Sequence, residues 1–133
     1  MFSNNPFFIK IENNYFSLNE INININDSFH KLKITGNLHF SSHTSISNNV
    51  FAPNIMGPFS YFTSMECNHA ILSMKSTING FLHFNDNLIN FDNGFAYIEK
   101  DWGTSFPKSY IWCQSNEFLA FPANFMLSVA HIP

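Results

Sequence analysis

Apolar and polar residues alternate with a period of two along most of this chain, and no window carries a convincing helical period. Ile21, Ile23 and Ile25 interleave with Asn22, Asn24 and Asn26, the pattern of a strand with one wet face. Phe7–Glu12 reads as a strand that turns at Asn13-Asn14 into Tyr15-Phe16, and Asp27-Ser28 turns the chain into Phe29–Thr35. Gly36 marks a bulge ahead of Leu38-His39-Phe40. Residues 41–58 break the alternation with Ser and Asn clusters, Pro53 and Gly57-Pro58, which predicts a long loop. Strands are then expected at Phe59–Phe62, Met65–Met74, Ile78–Phe84, Leu88–Phe91, Phe95–Asp101, Tyr110–Asn116 and Phe125–His131. Nine or ten strands with short polar turns predict an all-β antiparallel sandwich or barrel.

One segment echoes another. Ile34-Thr35-Gly36-Asn37-Leu38-His39-Phe40 parallels Ile78-Asn79-Gly80-Phe81-Leu82-His83-Phe84. A strand type with a glycine bulge, reused, explains this; a duplicated sheet unit is the alternative.

A chain of 133 residues suits a single β domain over 1–133 with a real core. Its formal charge is −3 and only 11% of residues are charged, which excludes the basic surface that nucleic acid demands. The 17 Phe and about 20 Asn exceed ordinary usage, and with Ile they carry the bias of an AT-rich coding sequence. What remains is a sparsely charged, aromatic-rich β protein suited to apolar or aromatic ligands. Met1–Pro6 lacks the cationic and apolar regions of a secretory signal, and no run of residues approaches a membrane span. A cytoplasmic location is expected, with peripheral membrane contact through exposed Phe left open. Cys67 and Cys113 are expected as reduced, buried thiols.

Three segments carry candidate chemistry. On a strand, Tyr97, Glu99 and Asp101 share one face while Ile98, Lys100 and Trp102 take the other. Two carboxylates so placed lie about 7 Å apart at Cα. Facing inward, one of them would hold its proton and serve as a general acid; facing outward, they are a solvated strand end before Gly103. Tyr110, Trp112, Gln114 and Asn116 form a second face that mixes rings with amides, either a ligand surface or a decorated outer face. The third segment is Met65-Glu66-Cys67-Asn68-His69. A metal site is not expected there, because further ligands at workable spacing are lacking. A Cys–His nucleophile is also weak, with nothing nearby in sequence to orient the imidazole. Phosphate loops, dinucleotide fingerprints and nucleophile elbows do not occur.

These same segments resemble the tocopherol cyclase family. The matching residues are Ser47, Pro53-Asn54-Ile55-Met56-Gly57-Pro58-Phe59, Met65-Glu66-Cys67-Asn68-His69 and Ser73-Met74. They continue with Gly94, Tyr97-Ile98-Glu99-Lys100-Asp101-Trp102-Gly103, Ser105-Phe106-Pro107, Trp112, Gln114-Ser115-Asn116 and Ser128-Val129-Ala130-His131-Ile132-Pro133. The resemblance implies a lipocalin-like antiparallel meander and a cofactor-free reaction. In that reaction the alkene nearest the ring of a prenylated quinol is protonated, and the phenolic oxygen closes on the tertiary cation to give a chromanol. Such chemistry needs an acid, a dry pocket and aromatic faces. Glu99 or Asp101 is then the acid, with Glu66 as second choice. Trp102, Tyr110 and Trp112 would line the cation region, His69, Gln114 and Asn116 would orient the quinol hydroxyls, and Asn68 and Tyr97 are further expected substrate-binding residues.

The resemblance also implies that this chain is a partial domain, lacking the opening strands and a second β domain of the family pattern. The expected fold is therefore an open or incomplete barrel whose unpaired edges suit a second copy or a completing polypeptide. The expected partner is an apolar or prenylated small molecule rather than nucleic acid, with another polyene compound as an alternative substrate. Three readings follow: a cyclase-like enzyme, a non-catalytic binder of an apolar ligand, and an inactive fragment of a larger cyclase-like protein.

Overall fold

The computed structural model describes residues 1–62 and 64–131; Ile132 and Pro133, the end of the last matching motif, lie outside the described residues. The fold is all-β and antiparallel, as the alternation predicts. Its ten strands are β1 (Phe2–Asn4), β2 (Phe7–Ile11), β3 (Asn14–Ser17), β4 (Glu20–Asp27), β5 (Leu32–Thr44), β6 (Cys67–Phe84), β7 (Asn87–Asn90), β8 (Gly94–Gly103), β9 (Tyr110–Ser115) and β10 (Phe125–Ala130). Among the described residues no helix is long and apolar enough to cross a membrane. The residues fall into two compact units, Met1–His43 with Ser76–Ala96, and Thr44–Lys75 with the residues from Tyr97 onward.

In the first unit the strands pair in chain order from β1 to β7, an open path with β1 at one end. Ile21, Ile23 and Ile25 of β4 stand opposite Leu38, Gly36 and Ile34 of β5, so one apolar face continues across both strands. That face supplies the buried Leu38 and Phe40, which with Ile78 of β6 form this unit's core. Each such side chain contributes about 1.5–3 kcal/mol by leaving water. His43 Nδ1 lies 2.8 Å from Ser76 Oγ and its Nε2 lies 3.1 Å from Asn19 Oδ1. Ser76 is fully buried, so this Ser–His–Asn chain ties strands together and offers no hydroxyl to an outside substrate.

The sequence echo acquires a physical meaning here. A Cβ on Gly36 would run into the carbonyl oxygen of Phe81, and one on Gly80 would run into that of Asn37. Their φ angles, +154° and +125°, are ones L residues rarely adopt. The two copies of the motif therefore face each other on paired strands, each glycine admitting the other's backbone.

In the second unit the first part of β6 pairs with β8, and β9 pairs with β10 as a separate ribbon. The ribbon register sets Trp112 against Ser128 and Gln114 against Met126. Among the described residues of this unit Met74 is the buried apolar side chain, next in sequence to the fully buried Ser73.

Four expectations need correction. The irregular stretch starts after Thr44 rather than at Ser41, because β5 continues through Ser42, whose φ of 54° absorbs the kink. Phe59–Phe62 is not a strand: Gly57–Tyr61 forms a 3-10 turn, started by Pro58 at a position that needs no N–H. Ser60 Oγ holds that turn by donating to the Gly57 carbonyl at 2.7 Å. Met65–Met74 and Ile78–Phe84 are one strand, β6, because Ser76 is buried against His43 and does not break the chain. Cys113 is exposed rather than buried, whereas Cys67 is half-buried; both are free thiols.

Candidate functional site

The second unit brings the signature residues of β8 against the start of β6. Alternation on β8 turns Tyr97, Glu99 and Asp101 to one side, and antiparallel pairing lays that side against His69. Asp101 Oδ1 lies 2.5 Å from His69 Nδ1. On the other side of the ring, His69 Nε2 lies 3.8 Å from Glu99 Oε2, within ion-pair range and beyond a hydrogen bond. Tyr97 completes the row by donating its O–H to Glu99 Oε2 at 2.7 Å. The imidazole thus sits between two carboxylates. The side chains of His69, Glu99 and Asp101 are 18%, 28% and 37% exposed, so the cluster is sheltered without being sealed.

Electrostatics follows from this placement. Burial pushes the Tyr97 phenol well above its ordinary range, and donation to Glu99 and the charges of Glu99 and Asp101 push it further. Tyr97 is therefore a fixed donor at neutral pH. Burial, then the charge on Asp101, raises the Cys67 thiol, which keeps Cys67 protonated and a poor nucleophile. With Nδ1 engaged by Asp101, Nε2 is the ring nitrogen turned away from that carboxylate. That atom is buried and has no hydrogen-bond partner among the described residues.

The remaining candidates divide. Trp112 of β9 reaches the cluster, its ring meeting that of Tyr97 edge-on at 6.0 Å between centroids. Gln114, next on that face, has a buried Nε2 without a hydrogen-bond partner. Asn116 is half-buried just past the end of β9, and Tyr110 at its start is largely exposed. Trp102 lies on the opposite face of β8, where the Lys100 ammonium sits 4.4 Å from its ring centroid. Asn68 donates to the Met65 carbonyl at 3.4 Å. Glu66 has an exposed side chain and acts through its backbone: its carbonyl accepts from Thr104 N–H at 2.8 Å and from Ser105 N–H at 3.2 Å. Gly103 lies so close to that carbonyl that a Cβ would collide with it, which explains a glycine after the signature tryptophan.

Sequence reasoning placed His69 as a substrate contact and found nothing to orient it. Asp101 orients it, from thirty-two positions away in the chain. The available signal was the shared parity of Cys67 and His69 on one strand and of Glu99 and Asp101 on another; the pairing of those two strands was missing.

The family model described as tocopherol cyclase-like matches residues 33–131, which contain every residue of this cluster. No curated protein and no solved structure matches the chain.

Proposed function

The chain belongs to the tocopherol cyclase-like family, and from that premise we propose that the His69 cluster performs acid-catalysed cyclisation of a prenylated quinol to a chromanol. The observation that supports this reading is the imidazole held between two carboxylates, with Nε2 unpartnered. In this reading the proton that Glu99 and His69 share is given to the alkene carbon, leaving a tertiary cation. The phenolic oxygen forms the new C–O bond, and its proton passes to His69 Nε2. Asp101 stabilises the resulting imidazolium at Nδ1, and the His69–Glu99 pair thereby regains the proton it gave. The proton gained at carbon equals the proton lost from oxygen, so substrate and product are isomers and no co-reactant is consumed. Tyr97 holds one Glu99 oxygen, and the rings of Tyr97 and Trp112 supply aromatic faces for the cation.

The alternative is a lipocalin-like binder of an apolar ligand without catalysis. The observation in its favour is the 37% exposure of Asp101, which leaves water a path to a cation formed beside it. One experiment separates the two. The full chain is incubated with a prenylated hydroquinone in deuterium oxide, and the product is sought as an isomer carrying one carbon-bound deuteron. The cyclase reading expects that product from the native chain and a loss of about 100-fold or more in rate with Glu99→Gln. Binding without product, or full turnover by Glu99→Gln, removes it.

A further inference from the structure

The loop between β5 and β6 belongs to the same unit as the His69 cluster, and its composition is not that of a solvated loop. Residues 44–62 carry no acidic or basic side chain. Val50, Phe51, Phe59, Tyr61 and Phe62 each expose more than half of their surface to water. Two contacts gather them: the Tyr61 hydroxyl donates to the Val50 carbonyl at 2.6 Å, and the rings of Phe59 and Phe62 meet at 6.2 Å between centroids. The 3-10 turn that carries Phe59 and Tyr61 joins the two pairs into one patch. Exposed apolar side chains gathered in this way mark an interaction surface, whereas scattered ones do not.

The loop is built rather than slack. Asn49 Oδ1 accepts from Phe51 N–H and Ala52 N–H at 2.9 and 3.0 Å. Asn54 Oδ1 accepts from Met56 N–H at 2.8 Å and from the Ser60 hydroxyl. Gly57 N–H donates to the Asn54 carbonyl, and Phe62 N–H to that of Phe59. The loop is also fastened to the strand that carries the cluster, since His69 N–H donates to Met56 Sδ at 3.1 Å. Polar groups of Asn49, Asn54, Ser60 and Tyr61 are thus engaged within the loop while the rings stand outside. A protein partner is ordinarily met by hydrogen bonds and a charged rim, and this patch presents no charge. A bilayer asks for the reverse, apolar side chains turned outward over polar groups already paired. Phe and Val side chains suffice for a shallow contact at the acyl boundary. Charge then selects the lipid: without a cation in the loop, and with −3 on the chain, nothing draws it to anionic headgroups.

We infer that this loop docks the protein on a zwitterionic phospholipid surface, with Phe51, Phe59 and Phe62 entering the acyl boundary. The membrane contact through exposed Phe that the sequence leaves open thereby acquires a location. The inference goes beyond the cyclisation reading, because docking uses neither the Glu99 nor the His69 side chain and needs no substrate.

The test floats the full chain with phosphatidylcholine vesicles. Native protein is expected to bind, with an affinity that changes less than about twofold between about 50 and 500 mM sodium chloride. Replacing about a third of the lipid by phosphatidylglycerol should not strengthen it. Phe51→Ser combined with Phe62→Ser is expected to weaken binding about 30-fold or more, and to melt like the native chain because both rings are exposed. Phe51→Leu combined with Phe62→Leu should retain most of the binding. Phe29→Ser, which removes an exposed ring from the other unit, and Glu99→Gln should each bind as the native chain does. No binding of native protein, binding that requires phosphatidylglycerol, or binding undiminished in the double serine variant would each overturn the inference. So would a dimer that the double serine variant dissolves while vesicles are ignored, which would assign the patch to a second copy. Vesicle binding that follows these variants while no chromanol forms would support the inference and remove the cyclisation reading alone.

Discussion

Asp101 and His69 meet at 2.5 Å across the β6–β8 pair, and this contact fixes which imidazole nitrogen faces the rest of the site. With Nδ1 occupied, Nε2 is the ring nitrogen left without a hydrogen-bond partner among the described residues. Asp101 thus acts through His69. Asp101→Asn is expected to lower the cyclisation rate of a prenylated quinol by about tenfold to 100-fold. Substrate affinity should change little, so the loss should fall on kcat rather than on KM. Steady-state kinetics of native, Asp101→Asn and His69→Gln proteins check this. An unchanged kcat in Asp101→Asn would reduce Asp101 to a structural contact.

Cys67 provides a reporter of the same charge. Burial first, and Asp101 second, raise its thiol, while Cys113 is exposed. Iodoacetamide at mildly alkaline pH should therefore label Cys113 first and Cys67 about tenfold or more slowly. Replacing Asp101 by Asn removes the repulsion and should speed Cys67 labelling several-fold. Mass spectrometry of timed samples reads both rates.

Tyr97 predicts an alkaline limit. Its folded phenol is raised above the unfolded value of 10.0, so its contribution to stability is complete below that range and is lost as pH rises through it. The native chain should lose melting temperature above about pH 10, and Tyr97→Phe should lose less. Ultraviolet titration of the folded protein should show one tyrosine ionising after the others, absent in Tyr97→Phe.

Gly36 and Gly80 predict a coupled pair. Either glycine replaced by alanine drives a methyl into the partner strand's carbonyl, and each change should cost about 2–4 kcal/mol. The double substitution should cost less than the sum, because both open the same strand pair. Gly57→Ala is the control: its φ is +59° but nothing lies within 4 Å of the added methyl, so about 1 kcal/mol is expected. Denaturant unfolding of the four variants gives the comparison.

The alternation of Ile and Asn through β4 was enough to set its wet and dry faces. The same parity rule separated Tyr97, Glu99 and Asp101 from Lys100 and Trp102, and the contacts of both groups follow it. These are properties of neighbours one or two residues apart, and side-chain direction along a strand is local. Phe59–Phe62 misled because a short aromatic run is compatible with either strand or turn, and Pro58 decides for the turn. Lys75-Ser76-Thr77 misled because polar residues ordinarily mark a break, whereas His43 receives Ser76 inside the sheet.

The sequence by itself determined the all-β class, the position of most strands, the faces of β4 and β8, and the family. Only the tertiary structure decided that His69 stands between Asp101 and Glu99 and that Gly36 and Gly80 face one another. The physical reason is register. Periodicity tells which way a side chain points from its own strand, but which residue it meets depends on which strands pair and at what offset. That offset is set by contacts between residues far apart in the chain.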